Sequence, residues 1–375
     1  MQAVPVDVES AQIGVASIAE PETLEMLDVD RGALATACRV TLLAGVALAV
    51  AMAPAVAQQD FYAGKQINFI VGAGVGGGYD LQARTAARHL GRHIPGNPTV
   101  VVQNMPAAGS LAATNFMFST APKDGTTISL IQRGMLLSKL TYPAGTRFEL
   151  EKFGWVGSLN SETAVTLSWN ATSPNHRTAK DLFERELIVG GIVSVDPETT
   201  PRLYNSLIGT KFKIVSGYNS TAQIALAIER GEVQGIADWS WSSLKAVRPD
   251  WIRDNKVTML MQGALQNDPE LKDLPNALDF IKSPSDRQVM ELHFTQKTAA
   301  RPVILPPGVP PERLAMLRRA FEALGQDKEF LAEAAKSKVE FNFVSGPDID
   351  KVVALIVATK PEIAERYAKA FAPAQ

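Results

Sequence analysis

The chain has 375 residues, a formal net charge of −2, 46% hydrophobic residues and 20% charged residues. That balance describes a folded soluble protein long enough for one large core or two ordinary ones, and it excludes a disordered or low-complexity chain. A charge so near zero argues against nucleic acid or another polyanion as partner.

The first residues are unlike the rest. Positions 1–37 carry seven acids (Asp7, Glu9, Glu20, Glu22, Glu25, Asp28, Asp30) and one base, Arg31. Arg39 then precedes Val40–Ala53, apolar apart from Thr41 and Gly45, and Pro54-Ala55-Val56-Ala57 follows. A positive flank, a short apolar core and a small-x-small end read as a secretory signal peptide cleaved after Ala57. The apolar stretch of 14 residues is too short to span a bilayer, which takes about 20. The acidic leader fits the first region of a signal poorly, which points to a translation start further downstream. The only cysteine, Cys38, precedes the apolar stretch, the wrong side for a lipidation site. The mature chain, Gln58–Gln375, is therefore expected to have no thiol or disulfide. Removing seven acids and two arginines moves its charge from −2 to +3.

The mature chain opens on Gln66–Arg88. Ile67, Phe69, Ile70 and Val71 form a short apolar run, and five glycines follow within seven residues: Gly72, Gly74, Gly76, Gly77 and Gly78. Asp80 and an alanine-rich stretch of helix formers come next. A strand, a side-chain-free loop and a helix start leave backbone N–H groups and the positive end of a helix dipole facing outward, a setting for an anion.

Strands are then predicted at Thr99–Val102 and Thr126–Ile131, with a Pro/Gly loop at Asn104–Ser110 and a helix at Leu111–Ala121. Trp155–Leu159 and Leu187–Ile192 read as strands opening a second unit. The helix Thr200–Ile208, strand Phe212–Val215, helix Ser220–Arg230 and strand Val233–Ala237 continue it, and Val257–Met261 leaves it. Helices at Pro311–Leu324 and Glu329–Lys338, a strand at Glu340–Val344 and one long helix at Pro347–Phe371 complete the chain. Alternation of this kind predicts an α/β protein with mainly parallel sheets flanked by helices. The organisation expected is a discontinuous first lobe, 58–153 and 257–375, with a second lobe, 154–256, inserted. The cleft between two such lobes is a usual ligand site.

Other chemistries fit poorly. Gly72-Ala73-Gly74-Val75-Gly76-Gly77 satisfies the dinucleotide pattern, but the second strand ends in Gln103-Asn104, without the acid that would hold ribose hydroxyls. A phosphate-binding P-loop fails because Tyr79-Asp80 follows Gly78 where Lys-Ser/Thr is required. There is no G-x-S-x-G and no H-E-x-x-H. His89 and His93 stand one helical turn apart and could hold a metal, though beside Arg88 and Arg92 they read better as a solvated basic face. No cofactor and no metal are expected, and no enzymatic activity.

Several stretches together resemble the Bug-type receptors, the periplasmic solute-binding components of tripartite tricarboxylate transporters. GGGYDLQAR within Ile70–Arg84 is similar to their "PGGxxDxxAR" opening, and VVVQNMPAAGSLAA at Val100–Ala113 to "VVVENRPGAGG". APKDGTTISL at Ala121–Leu130 is similar to "APDGYTLLL". Gly217-Tyr218, Gly231-Glu232-Val233-Gln234 and LPPGVPPERLAML at Leu305–Leu317 resemble later features of the family. The likeness runs the length of the mature chain. It departs at Ala73 and Val75, where the family often has proline, at Ala107-Ala108-Gly109, and at Trp239-Ser240-Trp241-Ser242. The resemblance implies a two-lobed Venus-flytrap fold, a monomeric periplasmic receptor, a small carboxylate as ligand and a membrane permease as partner. It also implies that the first two strand-to-helix loops, Val75–Asp80 and Ala107–Ser110, grip the carboxylate through backbone amides and ordered water. A sensory receptor serving a signalling partner is an alternative, and an exported hydrolase or lyase a further one.

The candidate ligand-binding residues come from both lobes. Val75, Gly76, Gly77 and Gly78 lie in the first loop. Asp80 is read first as a helix cap paired with Arg84, with ligand contact as the alternative. Ala108, Gly109 and Ser110 form the second loop, and Gln132 follows the third strand. From the second lobe come Ser161 and Thr163, Thr199 and Thr200 at a helix start, Tyr218, and Asp238 with Trp239 as an aromatic wall.

Overall fold

A computed structural model describes residues 61–173 and 175–371. The signal peptide, its cleavage after Ala57 and Cys38 lie outside the described residues.

Eleven strands build two sheets among the described residues. The six-stranded sheet has the order β11-β4-β10-β3-β1-β2, from β1 (Gln66–Val71), β2 (Thr99–Asn104), β3 (Thr127–Leu130), β4 (Gly154–Ser158), β10 (Pro302–Leu305) and β11 (Val344–Ser345). The five-stranded sheet has the order β7-β6-β8-β5-β9, from β5 (Ala164–Trp169), β6 (Leu187–Gly191), β7 (Phe212–Ser216), β8 (Gly235–Ser240) and β9 (Val257–Gly263). Helices flank both sheets, so the α/β class holds.

Each sheet has a parallel half and an antiparallel half. β1 runs parallel to β2 and β3, and β6 parallel to β7 and β8. β10 is antiparallel to β3 and β4, and β5 antiparallel to β8 and β9. The sheets are thus mixed rather than mainly parallel. β5 and β10, the strands that sequence periodicity missed, are reversed, as is the two-residue edge strand β11 against β4. β5 and β10 each enter their sheet directly after the chain has crossed from the other, along 159–163 and 264–301. The crossings also move two strands from their expected places: Gly154–Ser158 belongs to the six-stranded sheet and Val257–Gly263 to the five-stranded one.

β1 shows why the strands are buried on both faces. Ile67, Phe69 and Val71 enter one apolar core, while Ile70 enters the other. The expected terminal helix is two helices, Gly346–Val357 and Pro361–Phe371. Pro361 has no N–H to continue the ladder and disfavours helical geometry in the residue before it. The last helix packs on Asp196–Leu207, and Arg202 lies over the Phe371 ring.

The basic face of the Gly78–Leu90 helix is partly covered. His89 Nε2 lies 2.6 Å from Glu333, and His93 Nε2 2.7 Å from Asp327, at the Lys328–Lys336 helix. Arg88 and Arg92 stay exposed, so the expected solvated face is only partly taken up by a helix–helix contact.

Candidate functional site

Strand register sets the geometry. Val71 stands opposite both Asn104 and Leu130, so β1, β2 and β3 end level and release their loops side by side. β1 lies between β2 and β3, and their following connections leave in opposite directions, which opens a crevice between the ends of β1 and β3. The five-stranded sheet repeats the device, with β6 between β7 and β8. The two crevices face each other. Between them is a cavity of about 40 Å³, lined by Gly74, Gly77, Gly78 and Gln132 from one side and by Val195, Asp196, Asn219 and Ser220 from the other. That volume holds roughly three water-sized positions. The sides touch at its rim, where the Gly74 N–H donates to the Asn219 carbonyl at 3.0 Å.

Three helices begin at this cavity: Gly78–Leu90, Asp196–Leu207 and Thr221–Glu229. Their N-termini bring positive dipole ends to it, though in the second Pro197 has no N–H and the Glu198 and Thr199 amides donate to the Val195 carbonyl. Ser220 caps the third, its Oγ accepting from the Gln223 N–H at 3.3 Å.

Asp80 organises the glycine loop. It is buried, accepts from the Gly76 N–H at 3.0 Å and from Arg84 at 2.9 Å, and receives Asn104 Nδ2 at 2.9 Å. Asn104 also donates to the Ala73 carbonyl at 2.9 Å. Burial pushes the Asp80 carboxyl up, but Arg84, the Gly76 amide and Asn104 outweigh it and hold the pKa below the usual value. The expected pair with Arg84 is present, but Asp80 does not cap the helix: Gly77 is the N-cap, without a side-chain bond, and Asp80 ties back the Gly76 amide of the loop instead.

A buried charge network spans the two sheets. Arg133, just after β3, reaches Asp196 through Nε, Ser240 Oγ through Nη1 at 2.9 Å and Asp238 through Nη2 at 2.9 Å. Lys297 Nζ donates to the other Asp238 oxygen at 2.6 Å and to the Gly263 carbonyl at 2.9 Å. Gln296 Nε2 donates to Asp196 Oδ1 at 3.0 Å. Burial opposes the Arg133 charge, yet Asp196 and Asp238 keep its pKa above the ordinary value. Burial likewise opposes ionised Asp238, and Lys297 and Arg133 hold its pKa down. Asp238 has φ of +62°, left-handed backbone at a point where two β8 residues oppose one of β5, a bulge. The bulge turns the carboxylate into the network at a cost in local strain.

A second guanidinium, Arg301 at the start of β10, also lines the cavity and is fully buried. Its Nη2 donates to Ser243 Oγ at 2.8 Å and its Nη1 to the Ala300 carbonyl at 3.0 Å, while Nε has no partner. The Tyr79 ring lies 4.0 Å above it, and Tyr79 Oη donates to the Ala300 carbonyl.

The predicted site residues therefore separate. Gly77, Gly78, Gln132, Asp238 and Trp239 are brought together at the cavity. Val75 is 67% exposed, and Gly76 is turned to Asp80. Ala108, Gly109 and Ser110 lie off the cavity: Gly109 abuts the Val193 carbonyl, and Ser110 Oγ accepts from the Gln132 N–H at 3.1 Å. β2 lies outside the crevice between β1 and β3, which is why its loop stands to one side. Thr199 and Thr200 are buried in the first turns of their helix, with Thr200 Oγ1 2.8 Å from His293 Nε2. Tyr218 falls just short of the lining residues Asn219–Thr221. Ser161 and Thr163 line a different, open groove with Trp241, Lys245 and Phe341. The Trp239 ring packs edge-on against Trp251 with centroids 5.8 Å apart, so its indole belongs to the core.

Sequence reading missed Tyr79, Arg133, Asp196, Ser243, Lys297 and Arg301. The available signal was position: Arg133 and Asp196 each follow a strand end beside a glycine-containing loop.

No protein-family model matches the chain. Among curated proteins, a UPF0065 protein in the gbd 5′ region of Cupriavidus necator is 37% identical over 99 residues, 26% of this chain and 29% of that protein. A UPF0065 protein from a tcbD–tcbE intergenic region of Pseudomonas sp. strain P51 is 32% identical over 111 residues, 29% of this chain. The matched stretches span less than a third of the first relative and 32% of the second. Among solved structures, the periplasmic binding protein BugD superposes with a TM-score of 0.62 at 20% identity, covering 82% of this chain and 97% of BugD. The fold is that of the Bug/TctC periplasmic binding proteins. MatC from Rhodopseudomonas palustris, solved with bound malate, shares this Bug-type fold with a TM-score of 0.60 at 17% identity, covering 82% of this chain and 99% of MatC. An R. palustris protein solved with adipate scores 0.62 at 19% identity, over 82% of this chain and 97% of its own. On the Bug-type fold the cavity falls between the two sheets, at the paired crevices.

Proposed function

We propose that this chain is an exported, periplasmic solute-binding receptor that captures a small carboxylate between two lobes and delivers it to a tripartite tricarboxylate transporter permease. The observation that carries the reading is the opposition of two strand-end crevices across one cavity, with three helix N-termini around it. The malate and adipate held by two proteins of the same fold agree with an acid as ligand.

In this reading the lobes meet over the ligand as a clamp, the 159–163 and 264–301 crossings serve as the hinge, and the receptor carries out no chemistry. The glycine loop brings backbone amides to the carboxylate, and closure adds the amides of Ser220 and Thr221 from the other side. Charge-assisted hydrogen bonds contribute about 1.5–3 kcal/mol each. A few of them, less the cost of ordering, give micromolar binding or tighter, on the order of −8 kcal/mol.

Thermal-shift screening of the purified protein against carboxylates, amines and neutral sugars tests this. Acids should raise Tm by mass action. A shift with amines or sugars and none with any acid would refute it.

A further inference from the structure

If the guest is a small carboxylate, as the receptor reading has it, the charges lining the cavity restrict its chemistry further. Asp196 and Asp238 line one side. All four of their carboxylate oxygens are engaged, by Arg133, Gln296 and Lys297. Arg133 in turn donates from Nε, Nη1 and Nη2 to groups of the protein. Two cations, Arg133 and Lys297, balance two carboxylates in this network, which leaves it no net positive charge for a guest.

Arg301 is different. It lines the cavity beside the N-terminus of the Gly78–Leu90 helix, where a Cβ on Gly78 would sit 3.5 Å from its Nη2. Its Nε is buried with no acceptor. The nearest carboxylate, Glu162, lies 3.9 Å away, beyond hydrogen-bond length, and is held instead by Ser242 Oγ at 2.7 Å. A buried guanidinium donor without a partner is costly unless an acceptor reaches it.

We infer that the guest is a compact monocarboxylate whose single charge sits against Arg301 and the Gly77–Gly78 loop, and that Asp196 and Asp238 exclude a second carboxylate. An anionic far end would meet this charge-balanced network and be buried with no net positive charge to offset it. That uncompensated burial is costly in a site shielded from water. Arg301 is thus the charged partner of the ligand, and Asp196 a specificity-determining residue.

Titration calorimetry on the full purified protein tests this with matched pairs, butyrate against succinate and benzoate against phthalate, extended from acetate to octanoate, with butyramide as the uncharged control. The monocarboxylate of at least one pair should bind more tightly than its dicarboxylate by about tenfold or more, and butyramide should be silent. Arg301→Gln should weaken that monocarboxylate by about tenfold or more, with Arg301→Lys recovering part of it. Asp196→Asn should shift preference toward the dicarboxylate. Circular dichroism identifies any variant that fails to fold, and the wild-type pairs then decide alone. Dicarboxylates binding as well as or better than their partners would overturn the inference while leaving the receptor reading intact. Silence of every acid in both charge classes would overturn both.

Discussion

Arg133 Nη2 donates to Asp238 Oδ1 at 2.9 Å, with the two side chains 4% and 0% exposed. Arg133 comes from the loop after β3 of one sheet, and Asp238 from the β8 bulge of the other. The bond is therefore both a buried ion pair and a tie across the cavity.

Removing one member of such a pair strands the other. Arg133→Met leaves Asp196 and Asp238 without their shared cation and should destabilise the protein by about 3–5 kcal/mol. Urea denaturation measures the loss, and Arg133→Met combined with Asp238→Asn should lose less than the sum of the two single changes. Strict additivity would mean that the groups act independently.

His293 supplies a pH dependence. It is fully buried between Thr200 and Tyr367, and burial pulls its pKa down to about 4 from 6.5, the neighbouring aspartates only partly opposing this. Below pH 6.5 the unfolded chain takes up a proton that the folded one refuses until about pH 4. Stability from this group is therefore intact above 6.5 and falls as the pH drops toward 4, by at most roughly 3 kcal/mol. His293→Gln should flatten that part of the curve in chemical denaturation at a series of pH values. An unchanged slope would assign the acid sensitivity elsewhere.

Gly78 meets Ser243 so closely that a Cβ there would overlap its Oγ and lie 2.7 Å from its Cβ. Rotating the serine cannot relieve both contacts. Gly78→Ala should weaken ligand binding by about tenfold or more while the protein stays folded, because the two sides can no longer meet. Ser243→Gly in the same chain should restore part of the affinity, and no rescue would argue against this contact as the cause. Small-angle scattering reports the accompanying change in shape.

Asp80→Ala removes the acceptor of the Gly76 N–H and the partner of Arg84. The expected cost is about 1–3 kcal/mol, with faster hydrogen exchange at the Gly76 amide. Wild-type protection at that amide would show that the loop holds its shape without the carboxylate.

The sequence by itself determined the α/β class, the β1–glycine-loop–helix unit, the Asp80–Arg84 pair and the Pro311–Leu324 helix. Each is written in local spacing: an apolar run, glycines without side chains, an i,i+4 pair, a proline in a first turn. Only the tertiary structure decided that β5 and β10 run against their neighbours, since a six-residue and a four-residue strand carry no mark of direction. It also decided that β2 lies outside the crevice, which moves Ala108–Ser110 aside, and that the Trp239 ring packs into the core. Above all it placed Arg133 and Lys297 in the interior. A charged side chain read along the chain belongs in water, because burying it alone is costly. It can be buried here because residues from distant positions and the opposite sheet supply the compensating charge, and that pairing exists only once the chain has folded.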